Sequence, residues 1–403
     1  MAEVAPIKVA VRVRPLVPRE ASRGRVCASA TPDTITITNP REGEDARSFT
    51  FDRVFWSVGA SPGAAPDARL PPVTAPLADQ EAVFAAYGGG VVEDAWAGYN
   101  TCVFVYGQTG AGKTYTMMGE PTSEAEAGLI PRITRSLLRR LADDDDDTGE
   151  AALRLTQVSA TFVEIYLERV TDLLAPRAAA GGVRVREDPK RGPFVEGATT
   201  RVVRTEEDMV DVVAEGRSRL TMASTEMNDR SSRSHALLTI TVTRAVVDPV
   251  TKTARELTSR VSLVDLAGSE RVSATGAGGQ RLKEANNINQ SLTALGRVIS
   301  TLAKRSRRTG GPVSTTGSVI STTSTVSSRA AGGSGGAASF VPYRDSVLTT
   351  LLRECLGGNG RTVMIAVVSP SSSAFEESMS TLRYASIAKR IENKAVVNED
   401  PVS

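Results

Sequence analysis

Gly107-Gln-Thr-Gly-Ala-Gly-Lys-Thr114 follows directly on the apolar run Thr101-Cys-Val-Phe-Val-Tyr106, and this junction decides the fold class. The glycines let successive backbone N–H groups converge on an anion with no Cβ in the way. Gly107, Gln108, Thr109, Gly110, Ala111 and Gly112 then form the cradle. Lys113 has the reach to touch β- and γ-phosphates, and Thr114 brings a hydroxyl suited to Mg2+. A helix starting here aims its positive end at the same anion. A glycine-rich turn with no ligand can carry such a string, so a second feature is needed.

That feature is Asp265-Leu-Ala-Gly-Ser-Glu270, which closes another apolar strand, Val261 to Leu266. A carboxylate at that strand end sits where it can hold the water shell of a phosphate-bound cation. A third polar segment, Asn228-Asp-Arg-Ser-Ser-Arg-Ser-His235, precedes a run in which Leu238, Ile240 and Val242 alternate with threonines. Alternation predicts a strand over Ala236 to Thr243 with one buried face, neighbouring Val261 to Leu266 in a meander. Alone, the polar segment reads as a capped turn. His235, the only histidine, reads as a structural hydrogen-bonder.

Further out, Ile7 to Val13 reads as a strand closed by Arg14-Pro15, Asp67 to Asp79 as a surface loop, and Glu81 to Ala97 as a helix ending at Gly98. Asp143 to Asp147 reads as a solvated loop. Ile288, Leu292, Leu295, Ile299 and Leu302 recur at helical spacing. After Lys304, Arg305, Arg307 and Arg308, the stretch Thr309 to Ser339 is nearly all Gly, Ser, Thr, Ala and Val. It has too little apolar surface to offset the entropy of ordering, so a disordered insertion is expected over about 304–340.

The formal net charge of +2 over 403 residues argues against a general nucleic-acid binder. Three scattered cysteines suit reduced thiols and no metal spacing. No leader pattern opens the chain and no apolar run is long enough to span a bilayer, so a soluble intracellular protein is expected, without membrane contact by this segment.

Together, the three polar segments resemble the kinesin motor family: Gly107–Thr114 its P-loop, Asn228–His235 its switch I, Asp265–Glu270 its switch II. Arg12-Val-Arg-Pro15 resembles its adenine-contacting segment, through Arg12, Arg14 and Pro15, with Tyr115 as the stacking ring. Val341 to Leu348 and Leu356 to Asn359 resemble its microtubule-facing elements, and Ser380 to Ala385 its last motor helix. Myosins share the architecture but differ in these switch sequences. The resemblance implies an α/β P-loop NTPase with a mixed central sheet of about eight strands, helices on both faces, a motor domain over 1–390 and a neck linker over 391–403. It implies MgATP as substrate, with Ser231 and Ser232 closing on the γ-phosphate, Thr114, Ser232 and Asp265 (through water) around Mg2+, and the Gly268 amide sensing phosphate. Asn228 joins the nucleotide contacts. Arg233 and Glu270 are expected to pair as a latch, with Glu270 receiving the relayed proton.

The implied partner is the microtubule, which places the protein on the cytoskeleton in the cytoplasm. Its expected contacts are Lys304, Arg305, Arg307, Arg308, Arg344, Arg186 and Lys190. Ile391 to Asn398 resembles a linker that docks with Asn398 as latch and Glu3 to Pro6 as cover strand, the arrangement of plus-end-directed members. Dimerisation would use regions outside this chain. Val183 to Pro189 and Tyr343 to Leu348 look most like kinesin-3, although Gln290 stands where a lysine is common and the lysine-rich loop is replaced. Two rivals are a P-loop switch insensitive to microtubules and a non-motile microtubule binder with a degenerate ATPase. Intact Lys113, Thr114, Arg233, Asp265 and Glu270 argue against the second.

Overall fold

The computed structural model describes residues 2–21, 25–39, 46–58, 73–120, 123–146, 156–175, 183–189, 192–225, 232–247, 253–270, 280–309 and 340–401. Asn228, Ser231 and Lys190, the Arg308 side chain, Asp147 and most of the expected insertion lie outside them.

The strands that position the site are β1 (Glu3–Pro6), β2 (Lys8–Val13), β3 (Arg53–Trp56), β4 (Thr101–Tyr106), β5 (Thr156–Tyr166), β6 (Arg201–Val203), β7 (His235–Val247), β8 (Ala254–Asp265), β9 (Arg361–Val368) and β10 (Glu392–Ala395). Eight of them form the continuous path of the central sheet, in the order β6-β5-β7-β8-β4-β9-β2-β3, and two short strands, Arg169–Asp172 and Glu399–Pro401, pair beside β5 and β8. From β6 to β8 neighbours run antiparallel, and from β8 to β3 they run parallel. The mixed eight-stranded sheet expected from the resemblance is present. The helices used below are α1 (Lys113–Met117), α2 (Leu129–Asp146), α3 (Glu206–Thr225), α4 (Gln280–Thr309), α5 (Val347–Leu351) and α6 (Phe375–Ala388).

Every residue of β4 is buried because both faces of the sheet are covered. Cys102, Phe104 and Tyr106 join the core built with α4, α5 and α6, while Val103 and Val105 join the core built with α2 and α3. In β7, Leu238, Ile240 and Val242 are buried as the alternation requires. The opposite face is less open than alternation suggests. Thr239 and Thr241 line a cavity of about 340 Å³ beneath the hairpin of Arg184–Asp188 and Gly192–Glu196.

Three boundaries differ from expectation. Helix α4 runs on to Thr309, so Lys304 to Arg308 are helical rather than part of an insertion. Positive side chains in the last turns oppose the negative end of the helix dipole, which favours that extension. Helix α2 takes in Asp143 to Asp146, read as loop, because Ile130, Ile133, Leu137, Leu138 and Leu141 bury a continuous face that carries the helix onward. The helix expected over Glu81 to Ala97 begins at Gln80, with Asp79 accepting from the Ala82 amide at 2.8 Å. It contains one wide π turn, Phe84–Gly88, before continuing as Gly89–Trp96. A Cβ on Gly88 would overlap the Phe84 ring.

Candidate active site

The carboxyl ends of parallel strands β4 and β8 lie side by side, with Asp265 in register with Val105. Loops leaving such ends are where open α/β sheets bind ligands. A Cβ at Gly107 would overlap the Val367 carbonyl oxygen of β9, and Gly112 has φ of 99°, so the loop needs glycine at both positions. Lys113 is buried, its Nζ donating to the Gln108 carbonyl at 3.0 Å. Burial pushes its pKa down, against the pull of Asp265 and Glu270.

Thr114 Oγ1 donates to Asp265 Oδ2 at 2.6 Å across the two strand ends. The other carboxylate oxygen, Oδ1, is buried without a hydrogen-bond partner among the described residues. Burial raises the Asp265 pKa, while Thr114 and Lys113 lower it in part. An unpaired buried acceptor beside a threonine hydroxyl fits a hydrated divalent cation, which would satisfy the charge and the lone pairs together.

The two segments that resemble switches touch the P-loop or each other. The Gly268 amide donates to the Ser232 carbonyl at 2.8 Å, and the Ser269 amide to the Gly107 carbonyl at 3.1 Å. Both Glu270 carboxylate oxygens accept from Thr109, Oε2 from the amide at 2.7 Å and Oε1 from the hydroxyl. Glu270 therefore does not pair with Arg233 in this arrangement. Two hydrogen bonds to an ionised carboxylate are a strong alternative to an ion pair. A Cβ at Gly268 would overlap Thr109 Oγ1 and the Glu270 carboxylate, so a side chain there would displace the Glu270–Thr109 contact.

His235 is 3% exposed. Its Nδ1 accepts from the Ala267 amide at 2.9 Å, so Nε2 carries the hydrogen and donates to Ser291 Oγ at 2.8 Å. Desolvation, then the Lys113 charge, lower its pKa to about 3.

On the expected adenine side, Arg12 donates to Gln80 Oε1 at 2.7 Å, Thr116 Oγ1 at 3.1 Å and Ser57 Oγ at 3.2 Å. Its guanidinium lies 5.3 Å from the Tyr115 ring centroid, and desolvation lowers its pKa to about 10. Tyr115 itself is 41% exposed, leaving its ring accessible for stacking. Arg14 forms a two-point pair with Glu20, each bond 2.7 Å, and also donates to the Pro15 carbonyl. Both arginines thus shape the segment through protein partners. Sequence reasoning missed Gln80, which also donates to the Tyr115 and Glu126 carbonyls, and it missed Glu20. Neither lies in a local pattern that marks it.

Far from the P-loop, Lys304, Arg305 and Arg307 are exposed near the end of α4. Arg344 reaches Glu187 at 3.2 Å, Arg353 pairs with the same carboxylate, and Arg186 pairs with Glu196 at 3.0 Å. At the opposite end of β4 from the P-loop, β10 after Ile391 pairs antiparallel with β1, Glu3 opposite Ala395. Asn398 donates from its amide and its Nδ2 to the Gly98 carbonyl, accepts from Asn359 Nδ2 at 2.8 Å, and accepts on its carbonyl from the Thr258 amide. Arg361 joins Glu3 at 2.6 Å and also pairs with Asp94.

A family model described as the kinesin motor domain matches residues 12–391. The human kinesin-like protein KIF13A is 43% identical over 402 residues, covering 98% of this chain and 20% of the relative. The rat kinesin-like protein KIF1B is 43% identical over 399 residues with the same coverage. The chain therefore spans about a fifth of the length of these curated relatives. Among solved structures, one of a fast kinesin aligns with a TM-score of 0.76 at 37% identity, covering 98% of this chain and 94% of that one. A KIF14 dimer in a two-heads-bound state, with AMP-PNP in complex with a microtubule, aligns with a TM-score of 0.78 at 37% identity, covering 99% and 97%. With its P-loop sequence and mixed sheet, the chain belongs to the kinesin motor domain family, and KIF13A and KIF1B, to which it is similar, are kinesin-3 members.

Proposed function

We propose that this chain hydrolyses ATP at the P-loop and uses the hydrolysis cycle to alternate its grip on microtubules, moving toward the plus end. The observation that carries the reading is the Thr114–Asp265 hydrogen bond beside the unpaired Asp265 Oδ1. It joins the P-loop to the segment resembling switch II around a position suited to a cation.

The cradle amides from Gln108 to Gly112 and the Lys113 ammonium hold the phosphates. Thr114 and Ser232, with Asp265 through water, would hold Mg2+, which would supply neutralisation of charge on the phosphoryl oxygens. Tyr115 stacks on the base beside Arg12. Asn228 and Ser231 complete the closure on the γ-phosphate. When that phosphate arrives, the Gly268 amide exchanges the Ser232 carbonyl for a phosphate oxygen, and Glu270 leaves Thr109 to pair with Arg233. Glu270 then accepts the proton relayed from the attacking water. The chemistry requires positioning and charge stabilisation more than a strong base.

Grip on an acidic filament falls to Lys304, Arg305, Arg307, Arg308, Arg344, Arg186 and Lys190. Exposed charges such as Lys304, Arg305 and Arg307 are screened by salt, so affinity should fall steeply as ionic strength rises. Docking of 391–398 against β1 supplies the stroke, since ligands favour whichever conformer they bind more tightly. In the cell this places the protein on cytoplasmic microtubules, with dimerisation through regions outside this chain.

The deciding measurement is steady-state ATP turnover with and without polymerised tubulin, alongside microtubule co-sedimentation in ADP and in a non-hydrolysable ATP analogue. Stimulated turnover with nucleotide-dependent affinity supports the motor. Turnover indifferent to tubulin supports a switch NTPase, and nucleotide-independent binding without turnover supports a passive binder.

A further inference from the structure

We infer that His235 is a positioning residue that wires the contact between the two switches to helix α4 through Ser291. The inference deepens the motor reading and rests on it. Its carrier is a closed circuit of neighbours. Ser232, three residues before His235, holds the Gly268 amide on its carbonyl at 2.8 Å. Ala267, adjacent to Gly268, holds His235 Nδ1 at 2.9 Å. His235 itself opens β7 and is fixed in register opposite Ile165 of β5. From this circuit the bond from Nε2 to Ser291 Oγ, at 2.8 Å, lands on the buried face of α4.

The geometry couples the switch contact to the helix, reciprocally. When the Gly268 amide leaves Ser232, the peptide holding Ala267 shifts, and the donor that fixes Nδ1 shifts with it. The imidazole must tilt or lose that bond, and either outcome changes its hold on Ser291. No flexible side chain lies between the switch backbone and the helix, because the imidazole is planar and buried. It stays neutral at working pH, burial and Lys113 both opposing a second proton. A neutral ring has one donor and one acceptor, and both are used.

Ser291→Ala removes the bond at its helix end and leaves the nucleotide site intact. Basal turnover and the KM for ATP should stay at wild-type values. Microtubule-stimulated kcat should fall about five- to tenfold, the factor expected from one buried hydrogen bond. The ratio of microtubule affinities in ATP analogue and ADP should shrink by a similar factor. His235→Asn keeps an acceptor near Nδ1 but cannot reach Ser291. It should reproduce the loss in stimulation, and the double variant should be no worse than the weaker single. Multiplying effects would mean independent packing roles and would overturn the circuit, as would a Ser291→Ala protein with wild-type stimulation and affinity ratio. If His235→Asn does not fold, Ser291→Ala alone decides. A wild-type protein without microtubule stimulation would sink the motor reading first, and this inference with it.

Discussion

The two ends of strand β4 are built on different principles. At its carboxyl end, the phosphate loop is one contiguous stretch of sequence, and its partners Asp265 and Glu270 come from one other stretch. At its amino end, the seat of the proposed linker segment is assembled from places remote in sequence: Asn398 against Gly98 and Asn359, β10 against β1, Arg361 against Glu3 and Asp94. The strand between them is only 6 residues long and wholly buried. The first end can be read as a motif because its chemistry dictates residue types. The second depends on where the fold happens to bring chain segments, so its residue types are looser and each contact is individually modest.

The sharpest way to test this contrast is at Glu270. Glu270→Ala should bind ATP yet hydrolyse it at least roughly 100-fold more slowly, the usual scale for losing a positioned proton acceptor. Single-turnover hydrolysis with radiolabelled ATP reads it. Near-normal chemistry would end the assignment and blur the distinction between the two ends.

At the linker end, Asn398→Ala removes the side-chain bonds to Gly98 and Asn359. It should weaken docking by about 1–2 kcal/mol while leaving ATP affinity unchanged. A fluorescent or spin label on the linker, read in the presence of an ATP analogue, measures the docked fraction. An unchanged fraction would mean the strand pairing of β1 with β10 suffices alone.

A third probe uses pH on His235, beside the phosphate end. Native His235 titrates near 3, whereas an unfolded histidine titrates near 6.5. Between those values the unfolded chain binds the extra proton, so acid favours unfolding. The stability due to the neutral ring is complete above pH 6.5 and is lost as pH falls, by about 1.4 kcal/mol at pH 5.5. Denaturant titrations at pH 7.5 and 5.5 should show that slope in the wild type and a flatter one in His235→Asn.

The smallest expected effect is at Glu3. Its pair with Arg361 is partly exposed, and such pairs contribute about 0.2–1 kcal/mol. Glu3→Gln should reduce the docked fraction slightly at low salt and imperceptibly at high salt. A large effect would mean that the cover strand is held mainly by this charge.

What could be read in advance follows the same divide. Thr101 to Thr114 and Asp265 to Glu270 were legible because strand, glycine loop and carboxylate are adjacent in sequence and each residue type has one chemical reason. The contacts of Arg12 were not: Gln80 and Thr116 are 68 and 104 positions away, and no local pattern links them. Glu270's hold on Thr109 was not legible either, since a carboxylate in that motif can face Arg233 or the P-loop, and only packing chooses. The end of α4 was misjudged because the composition shifts at Lys304, whereas the helix is decided by the buried face that precedes it and by charges suited to its terminus.

The wide turn at Phe84–Gly88 has a consequence for both ends at once. Each residue of an α-helix advances about 100° around the axis, so a single added residue re-aims everything that follows by roughly that angle. Before the bulge, Gln80 faces Arg12; after it, Asp94 faces Arg361. Deleting one residue between 84 and 88 would leave Gln80 in place and swing Asp94 off Arg361. Where a side chain points at that end of the sheet is thus set by an irregularity six to ten residues upstream.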